Sequence, residues 1–328
     1  SSLAPEVFAR TFVGRPGAPT LTVLDSTHPA AVDGVARAID PVRALFLVSS
    51  KSGTTIEPLS FLEFFWDSIS SATDEPGAHF AAITDPGSVL EGIAAERGFR
   101  RTFTADPNVG GRYSALSHFG LVPAALVGAD IETMLDEAAA MAAESGEGRG
   151  GFALGAALGE LALAGRNKAT FHTTPSFAAF GGWVEQLIAE STGKDGTGIL
   201  PVADEEPGSA GAYGDDRVFV GLSLAGDDDA ADLDGFLDAM EAAGHPVIRI
   251  TAARPEALAA EMYRAEIATA MAGAVLGIHP FDQPDVQAAK SLAKQAMAGE
   301  VEGEPIPEVP ADGDALAGAV GTFLEACE

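Results

Sequence analysis

Hydroxyl side chains gather around one lysine and one glycine in a short turn of the chain, Ser50-Lys51-Ser52-Gly53-Thr54-Thr55. An apolar run of strand length precedes this turn, and apolar positions at helical spacing follow it. The first N–H groups of a helix have no partner inside the helix, and the helix dipole favours negative charge there. Because hydroxyls and an ammonium group add further donors, we predict a phosphate site. The alternative is an ordinary helix start capped by Ser or Thr.

An arginine follows two glycines in a second polar stretch, Val109-Gly110-Gly111-Arg112-Tyr113-Ser114. Glycines permit positive φ angles and a close approach of the backbone. Arg112 could therefore lean over the polar atoms of a ligand. The alternative is a surface arginine after a tight turn, which is the commoner case for such a motif on its own.

An amide and a carboxylate lie four residues apart near the end of a predicted helix. Gln186 and Glu190 therefore project from one helix face, and Gly193 is a natural helix stop. A carboxylate at a helix C-terminus meets an unfavourable dipole, which raises its proton affinity and suits a general base. The alternative is a solvated pair between Glu190 and Lys194.

A fourth stretch, residues 277–290, has prolines at both sides of a predicted corner between two helices. Pro280 ends one helix, and Pro284 begins the next. Gln283 and Lys290 are seven residues apart, so they lie near one line along two helical turns. Without other evidence, this is a corner between helices with one exposed lysine.

Strands alternate with helices along most of the chain, which predicts an α/β fold with doubly wound parallel sheets. Ligands of such sheets bind at the carboxyl ends of the strands, where the hydroxyl-rich turn lies. The predicted strands are Leu21–Leu24, Leu45–Val48, His79–Ile83, Arg101–Phe103, Ala169–Thr173, Val218–Leu224 and Val247–Thr251. The predicted helices are Ala4–Thr11, Ala30–Ile39, one that ends near Ile69, Ser88–Arg97, Ala115–Val127, Ile131–Glu144, Phe152–Ala164, Ala179–Ser191, Leu233–Ala243, Pro255–Leu276, Asp285–Ala298 and Ala315–Cys327.

A chain of 328 residues is long enough for two domains. We predict a first domain over residues 1–148, with the hydroxyl-rich turn and a connecting helix, and a second over 149–328, with C-terminal helices. The glycine-rich stretch 146–151 is the best linker between them, and the acidic, proline-rich stretch 301–314 is a second linker. Because the first residue is Ser1 and not Met, we expect a longer polypeptide.

The charge of the chain excludes some classes of partner. The net charge is −29, from 19 basic and 48 acidic residues, whereas nucleic acids and anionic membrane surfaces are bound through basic patches. Hydrophobic residues make up 47% of the sequence, as is typical of a soluble globular protein, and no apolar run reaches the ~18 residues of a membrane span. The single cysteine, Cys327, indicates a reducing compartment, and the sequence has no Cys/His metal cluster.

Taken together, the motifs resemble those of the glucose-6-phosphate isomerase family. Its markers are the Ser-Lys-Ser-Gly-Thr-Thr turn, Val-Gly-Gly-Arg-Tyr-Ser, Glu-Ser-Thr-Gly-Lys and Phe-Asp-Gln-Pro-x-Val, and their order here is the same. The resemblance covers nearly the whole chain and is closest to the isomerase part of proteins that are fused to a transaldolase. It implies two sugar isomerase (SIS) domains, each a three-layer α/β/α arrangement. It also implies a cytoplasmic homodimer that interconverts glucose 6-phosphate and fructose 6-phosphate through a cis-enediolate, without a cofactor or metal.

The resemblance also implies a role for individual residues. Glu190 moves the proton between C1 and C2 of the sugar, Arg112 stabilises the charge of the enediolate, and Lys290 assists ring opening. The residues that bind the substrate are Ser50, Lys51, Ser52, Thr55, Gly111, Gln186 and Gln283, joined by Ser1, which looks like the end of a Gly-Gly-Ser loop of the family.

The sequence departs from the family pattern at two points. Pro58 stands where the family usually carries another hydroxyl, and no residue matches the ring-opening histidine of the wider family. We expect His172 to be packed in a strand, and His245 and His279 to be structural or surface residues. An alternative function is therefore a sugar-phosphate-binding module, or a fragment, without turnover. A second alternative is a related isomerase that also acts on mannose 6-phosphate.

Overall fold

A three-stranded parallel sheet organises the first part of the chain in the computed structural model, which describes residues 3–12, 16–300 and 313–325. Its strands, in spatial order, are β1 (Phe46–Ser49), β2 (Phe80–Thr84) and β3 (Arg101–Thr104). The central strand β2 is buried over its whole length, which explains its apolar sequence. All three strands confirm the sequence prediction.

The helices in the first part of the chain are close to their predicted bounds. They are α1 (Leu3–Thr11), α2 (Pro29–Ala38), α3 (Ile56–Ser70), α4 (Val89–Glu96) and α5 (His118–Leu126). A core of aliphatic and aromatic side chains joins the sheet to α3 and α4, and it includes Val48, Leu62, Phe65, Phe80 and Leu90. Burial of such side chains stabilises each element by about 1.5–3 kcal/mol per residue.

A four-stranded parallel sheet follows in the second part of the chain, with the spatial order β5-β4-β6-β7. Its strands are β4 (Lys168–Thr173), β5 (Leu200–Val202), β6 (Arg217–Leu224) and β7 (Val247–Ala252). The crossover helices are α8 (Phe180–Thr192) and α9 (Ala230–Ala242). The two parallel sheets confirm the predicted fold class.

Three helices pack against one another beside the second sheet: α6 (Ile131–Gly146), α7 (Gly150–Leu163) and α10 (Leu258–Leu276). Their close contact depends on glycine, since a Cβ atom at Gly155 of α7 would lie 2.2 Å from the carbonyl oxygen of Ala268 in α10. The glycine-rich stretch 146–151 forms the turn between α6 and α7. In the sequence, all strands of the first sheet precede residue 148 and all strands of the second sheet follow it. The domain boundary at this residue stays a prediction.

One predicted strand is wrong. Residues Leu21–Leu24 form no strand in the described structure. Leu21 packs against the large core of the chain and Leu24 packs against the core of the first sheet. The alternating apolar pattern therefore anchors an irregular segment to two cores. Conversely, β5 was not predicted, because it has only three residues and contains Pro201.

Contacts divide the chain into two units, Ser1–Asp282 and Gln283–Glu328. Both sheets and helices α1–α10 belong to the first unit. The second unit contains α11 (Pro284–Met297) and α12 (Gly313–Glu325), both predicted. Most of the predicted acidic linker, 301–312, lies outside the described residues. Within the described ranges, no helix is long and apolar enough to cross a membrane, and no group of three metal-ligating side chains occurs.

Candidate functional site

The hydroxyl-rich turn connects the carboxyl end of β1 to the first turn of α3, as predicted. Ser50 is buried and its hydroxyl donates to the Thr55 hydroxyl over 3.3 Å, while Ser52 and Thr54 join their hydroxyls at 2.9 Å. Thr55 occupies the N-cap position, but its side chain forms no capping hydrogen bond with the described part of α3. This geometry disfavours the simple capped-helix alternative and leaves hydroxyls beside the helix N-terminus.

Gly53 gives the turn a path that other residues cannot follow. Its φ angle is +65°, in the left-handed region. A Cβ atom at this position would lie 2.4 Å from the backbone nitrogen of Leu90, the second residue of α4. The turn is therefore pressed against the start of α4, and glycine is required there for both reasons.

Lys51 ties together the carboxyl ends of all three strands of the first sheet. Its ammonium group lies 2.7 Å from Oδ1 of Asp85, which follows β2, and donates to the carbonyl oxygen of Asp106, which follows β3, over 3.4 Å. The hydroxyl of Thr84 donates to the carbonyl oxygens of Ser50 and Lys51 over 2.7 and 3.2 Å. Lys51 thus shapes the turn. Its contact with a phosphate stays a prediction.

Arg112 is buried, so the alternative of a surface arginine is wrong. It lies in the short 3-10 turn Gly111–Tyr113. Its guanidinium group donates to the Ser191 hydroxyl, to the carbonyl oxygen of Pro280 over 3.3 Å and to that of Asp282 over 3.0 Å. A Cβ atom at Gly111 would meet no described atom within 4 Å, so the space beside the arginine is open.

Glu190 lies in the last turn of α8 and faces Arg112. Its Oε2 atom is 3.6 Å from Nε of Arg112, and its Oε1 atom accepts a hydrogen bond of 2.9 Å from Nε2 of Gln186. The helical spacing thus places Gln186 and Glu190 side by side as predicted. About a third of the Glu190 side chain is exposed, so a ligand can reach it. The alternative pairing with Lys194 is wrong, because Lys194 contacts Asp282 instead.

The residues after Glu190 end the helix and fix the path of the chain that follows it. Thr192 donates its hydroxyl to the carbonyl oxygen of Ile188 and accepts a hydrogen bond from the backbone nitrogen of Ile199, both at 2.9 Å. These two bonds fold the chain back immediately after α8. Lys194 then forms a β-bridge with Thr197 across a tight turn. Each polar residue of the Glu-Ser-Thr-Gly-Lys motif therefore has a partner, and Glu190 and Ser191 share Arg112.

A short segment between α10 and the second unit, residues 278–282, lies against these groups; we call it the clamped segment. It begins after Gly277, which ends α10 with a φ angle of +73°. Nζ of Lys194 donates to the carbonyl oxygens of His279 and Asp282 over 2.6 and 2.7 Å, and it lies 2.6 Å from Oδ1 of Asp282. Tyr113 donates its hydroxyl to the carbonyl oxygen of Pro280 over 3.4 Å.

Burial and neighbouring charges shift several pKa values at the site. Burial lowers the pKa of the Arg112 guanidinium, an effect that Tyr113, Glu190 and Asp282 oppose. Burial raises the pKa of the Tyr113 phenol. The hydrogen bond from Lys194 lowers the pKa of Asp282, which stays ionised. Behind the Arg112 turn, burial raises the pKa of Glu266 in α10 to about 8.

Every predicted catalytic and binding role stays a prediction, and three of the predicted residues lie outside the part of the site described above. Ser1 lies outside the described residues, and so does the side chain of Lys290 in α11. Gln283 precedes α11 in the second unit. Their roles stay predictions.

The three histidines of the second half are placed as expected. His172 is buried in β4 and packs edge-on against Phe236, with ring centroids 4.5 Å apart. His245 is buried beside Phe219. His279 is mostly exposed, and its Nδ1 atom lies 3.8 Å from Asp282.

Sequence reasoning missed Lys194, Ser191 and Glu266 as parts of the site. A signal existed for the first two, since both belong to the Glu-Ser-Thr-Gly-Lys motif and lysine is rare in this chain. Glu266 lies within a long helix without any motif, and only the folded chain brings it near Tyr113.

The chain is similar to known proteins in sequence and in fold. The phosphoglucose isomerase family model matches residues 1–147. A glucose-6-phosphate isomerase of Rubrobacter xylanophilus is 31% identical over 324 residues, which covers 86% of this chain and 75% of that protein. A hypothetical protein of Thermus thermophilus has a similar fold, with a TM-score of 0.81 at 24% identity over 91% of this chain and 81% of the other. A glucose-6-phosphate isomerase of Chlamydia trachomatis has a TM-score of 0.75 at 20% identity and covers 99% of this chain and 71% of its own. Because it is 31% identical to a glucose-6-phosphate isomerase of which it covers 75%, the chain belongs to the glucose-6-phosphate isomerase family.

Proposed function

We propose that this chain interconverts glucose 6-phosphate and fructose 6-phosphate, with Glu190 as the base that moves the proton. The carboxylate takes the proton from C1 of the ketose, or from C2 of the aldose, and returns it to the other carbon. Proton abstraction next to a carbonyl requires a positioned carboxylate. The hydrogen bond from Gln186 to Oε1 of Glu190 fixes the orientation of this group and leaves it accessible.

Arg112 stabilises the negative charge that develops on the substrate oxygens. Abstraction of the proton turns the carbonyl and the neighbouring hydroxyl into an enediolate, whose charge needs a cation or preorganised donors. The guanidinium group lies beside the base and is held by Ser191 and by the carbonyl oxygens of the clamped segment. Because it is buried, its interaction with the enediolate is weakly screened.

The hydroxyl-rich turn holds the phosphate of the sugar. Ser50, Ser52 and Thr55 supply hydroxyl donors at the N-terminus of α3, and Gly53 permits close approach. Lys51 connects this turn to the loop that continues from Asp106 towards Gly111 and Arg112, so phosphate and reacting carbons are bound by one continuous framework. The family resemblance implies that Gln283 binds the substrate and that Lys290 assists ring opening, and both roles stay predictions.

The observation that carries this proposal is the buried Arg112 beside the accessible Glu190, at 3.6 Å. A module that only binds sugar phosphates needs neither group. The test is a coupled assay that follows glucose 6-phosphate formed from fructose 6-phosphate by the 328-residue chain, beside a binding titration with the same sugar. Fructose without phosphate is the matched control substrate, and we expect no turnover of it.

Turnover of fructose 6-phosphate alone would support the isomerase. Binding without turnover would contradict it and favour the sugar-phosphate-binding module. Absence of both would contradict the phosphate site itself.

Three further proposals follow from the sequence. The cytoplasm is the compartment that the single cysteine favours. A homodimer and a covalent fusion to a transaldolase are implied by the family resemblance and stay predictions.

A further inference from the structure

Lys194, two residues after the end of α8, is buried and fully hydrogen-bonded, which is unusual for a lysine that only follows a helix. Its ammonium group is buried, with 7% of the side chain exposed, and it has three oxygen partners between 2.6 and 2.7 Å: two backbone carbonyls and one carboxylate oxygen of the clamped segment. Lysine carries three N–H donors, so these acceptors satisfy the whole group.

Lys194 and Arg112 donate to the same atom. The carbonyl oxygen of Asp282 accepts from Nζ of Lys194 over 2.7 Å and from Nη2 of Arg112 over 3.0 Å. A carbonyl oxygen has two lone pairs and can accept both hydrogen bonds. The position of Asp282 is therefore set jointly, and any movement of this carbonyl changes the orientation of the guanidinium group.

Lys194 also neutralises the carboxylate that competes for Arg112. Oδ1 of Asp282 lies 2.6 Å from Nζ of Lys194, while the backbone carbonyl of the same residue contacts Arg112. Without the lysine, the carboxylate of Asp282 would face Arg112 and His279 as the nearest described basic groups. Arg112 would then be attracted away from Glu190 and from the reacting oxygens of the sugar.

We propose that Lys194 is a positioning residue for the isomerisation, which holds the carbonyls of His279 and Asp282 and neutralises the Asp282 carboxylate so that Arg112 stays directed at the substrate. This inference rests on the proposed function. It assigns Lys194 no contact with the sugar. Its effect is on the rate of the chemical step, since a misplacement of about 1 Å at a catalytic group can cost about 100-fold in rate.

The test is steady-state kinetics of the 328-residue chain with Lys194→Met. We expect kcat to fall by about 10- to 100-fold, with KM for fructose 6-phosphate changed by less than about threefold, because the phosphate turn belongs to the other sheet. Lys168→Met is the matched control: Lys168 also forms an ion pair, with Asp216, on β4. We expect its kcat to stay within about twofold of the wild-type value.

The double variant Lys194→Met with Asp282→Asn separates positioning from loss of stability. It removes the competing carboxylate, so we expect kcat to recover several-fold over the single variant. If Lys194 had a merely structural role, kcat would not recover. Circular dichroism confirms that all variants are folded at the assay temperature.

Two results would overturn the inference while the proposed function stands: an unchanged kcat in Lys194→Met, or no recovery in the double variant. A wild-type chain without turnover would overturn the proposed function, and this inference with it.

Discussion

Nε of Arg112 lies 3.6 Å from Oε2 of Glu190, although one residue follows the first sheet and the other ends a helix of the second. In the proposed aldose–ketose isomerisation the two groups have opposite tasks, since one takes a proton and the other stabilises the charge that is left. The proposed roles require both groups to reach the same two carbons of a sugar, and the short distance between them is compatible with this requirement. It also means that each residue influences the electrostatics of the other.

Glu190→Gln is expected to abolish isomerisation and to preserve binding. The amide keeps the shape of the carboxylate but cannot act as the base. We therefore expect kcat to fall by about 100- to 10,000-fold. The Kd for fructose 6-phosphate should change little, because the phosphate turn is untouched. Coupled kinetics and isothermal titration calorimetry measure the two quantities.

The control for this variant is Glu185→Gln. Glu185 lies on the same helix, α8, and is exposed to solvent. Its kcat should equal that of the wild type. If Glu190→Gln keeps more than a tenth of the wild-type kcat, Glu190 is not the base.

Gly53→Ala is expected to impair sugar-phosphate binding. The new Cβ atom would lie 2.4 Å from the backbone nitrogen of Leu90, and the φ angle of +65° is itself unfavourable for alanine. The turn must therefore move, and the Kd for fructose 6-phosphate should rise at least about tenfold. The free energy of unfolding should fall by about 1–3 kcal/mol. Calorimetric titration and chemical denaturation give both values.

Gly87→Ala serves as the control for backbone strain. Gly87 has a φ angle of +75°, but a Cβ atom there would meet no described atom within 4 Å. It should lose stability without a comparable rise in Kd. Equal changes in Kd for both variants would contradict a specific role of the Gly53 turn.

Glu266→Gln is expected to stabilise the fold in a pH-dependent manner. The pKa of Glu266 is about 8 in the folded chain, against an ordinary value of 4.5, so the folded state retains a proton that the unfolded state releases. The free energy of unfolding contributed by this residue therefore falls as the pH rises from about 4.5 to about 8, and it changes little above that range. The amide cannot ionise, so the variant avoids this loss.

Thermal unfolding at a series of pH values measures this effect. The Tm of Glu266→Gln should approach or fall below the wild-type Tm near pH 5 and exceed it near pH 8. At pH 8 we expect the free energy of unfolding of the variant to be about 1–3 kcal/mol higher than that of the wild type. Glu160→Gln, at an exposed position of α7, should show no such trend. A Tm difference that is constant across the pH range would show that Glu266 is ionised in the folded chain.

Much of this architecture follows directly from the sequence. Buried parallel strands such as β2 are nearly continuous apolar runs, and the polar residues after them mark the carboxyl end of the sheet. The spacing of four residues placed Gln186 beside Glu190 because a helix has a fixed repeat. These features depend on local geometry, which the order of residues determines.

Other features depend on contacts between distant parts of the chain. Whether Lys194 pairs with Glu190 or with Asp282 is decided by the path of the chain after α10. Leu21–Leu24 has the pattern of a strand but finds no partner strand, because its two leucines pack on different cores. The burial of Glu266 follows from the packing of α10 and has no local signal.

The hydrogen bonds that hold the clamped segment are made almost entirely to its main chain. Arg112, Tyr113 and Lys194 donate to carbonyl oxygens, and the Asp282 carboxylate is the one side-chain acceptor among the hydrogen bonds described for the segment. Every residue type offers a carbonyl, so these hydrogen bonds do not depend on the identity of the side chains at positions 279–281. The residues that fix the path of the segment are the donors Arg112, Tyr113 and Lys194, which lie elsewhere in the sequence. A substitution scan confined to the segment would therefore understate how strongly the hydrogen bonds to its carbonyl oxygens constrain it.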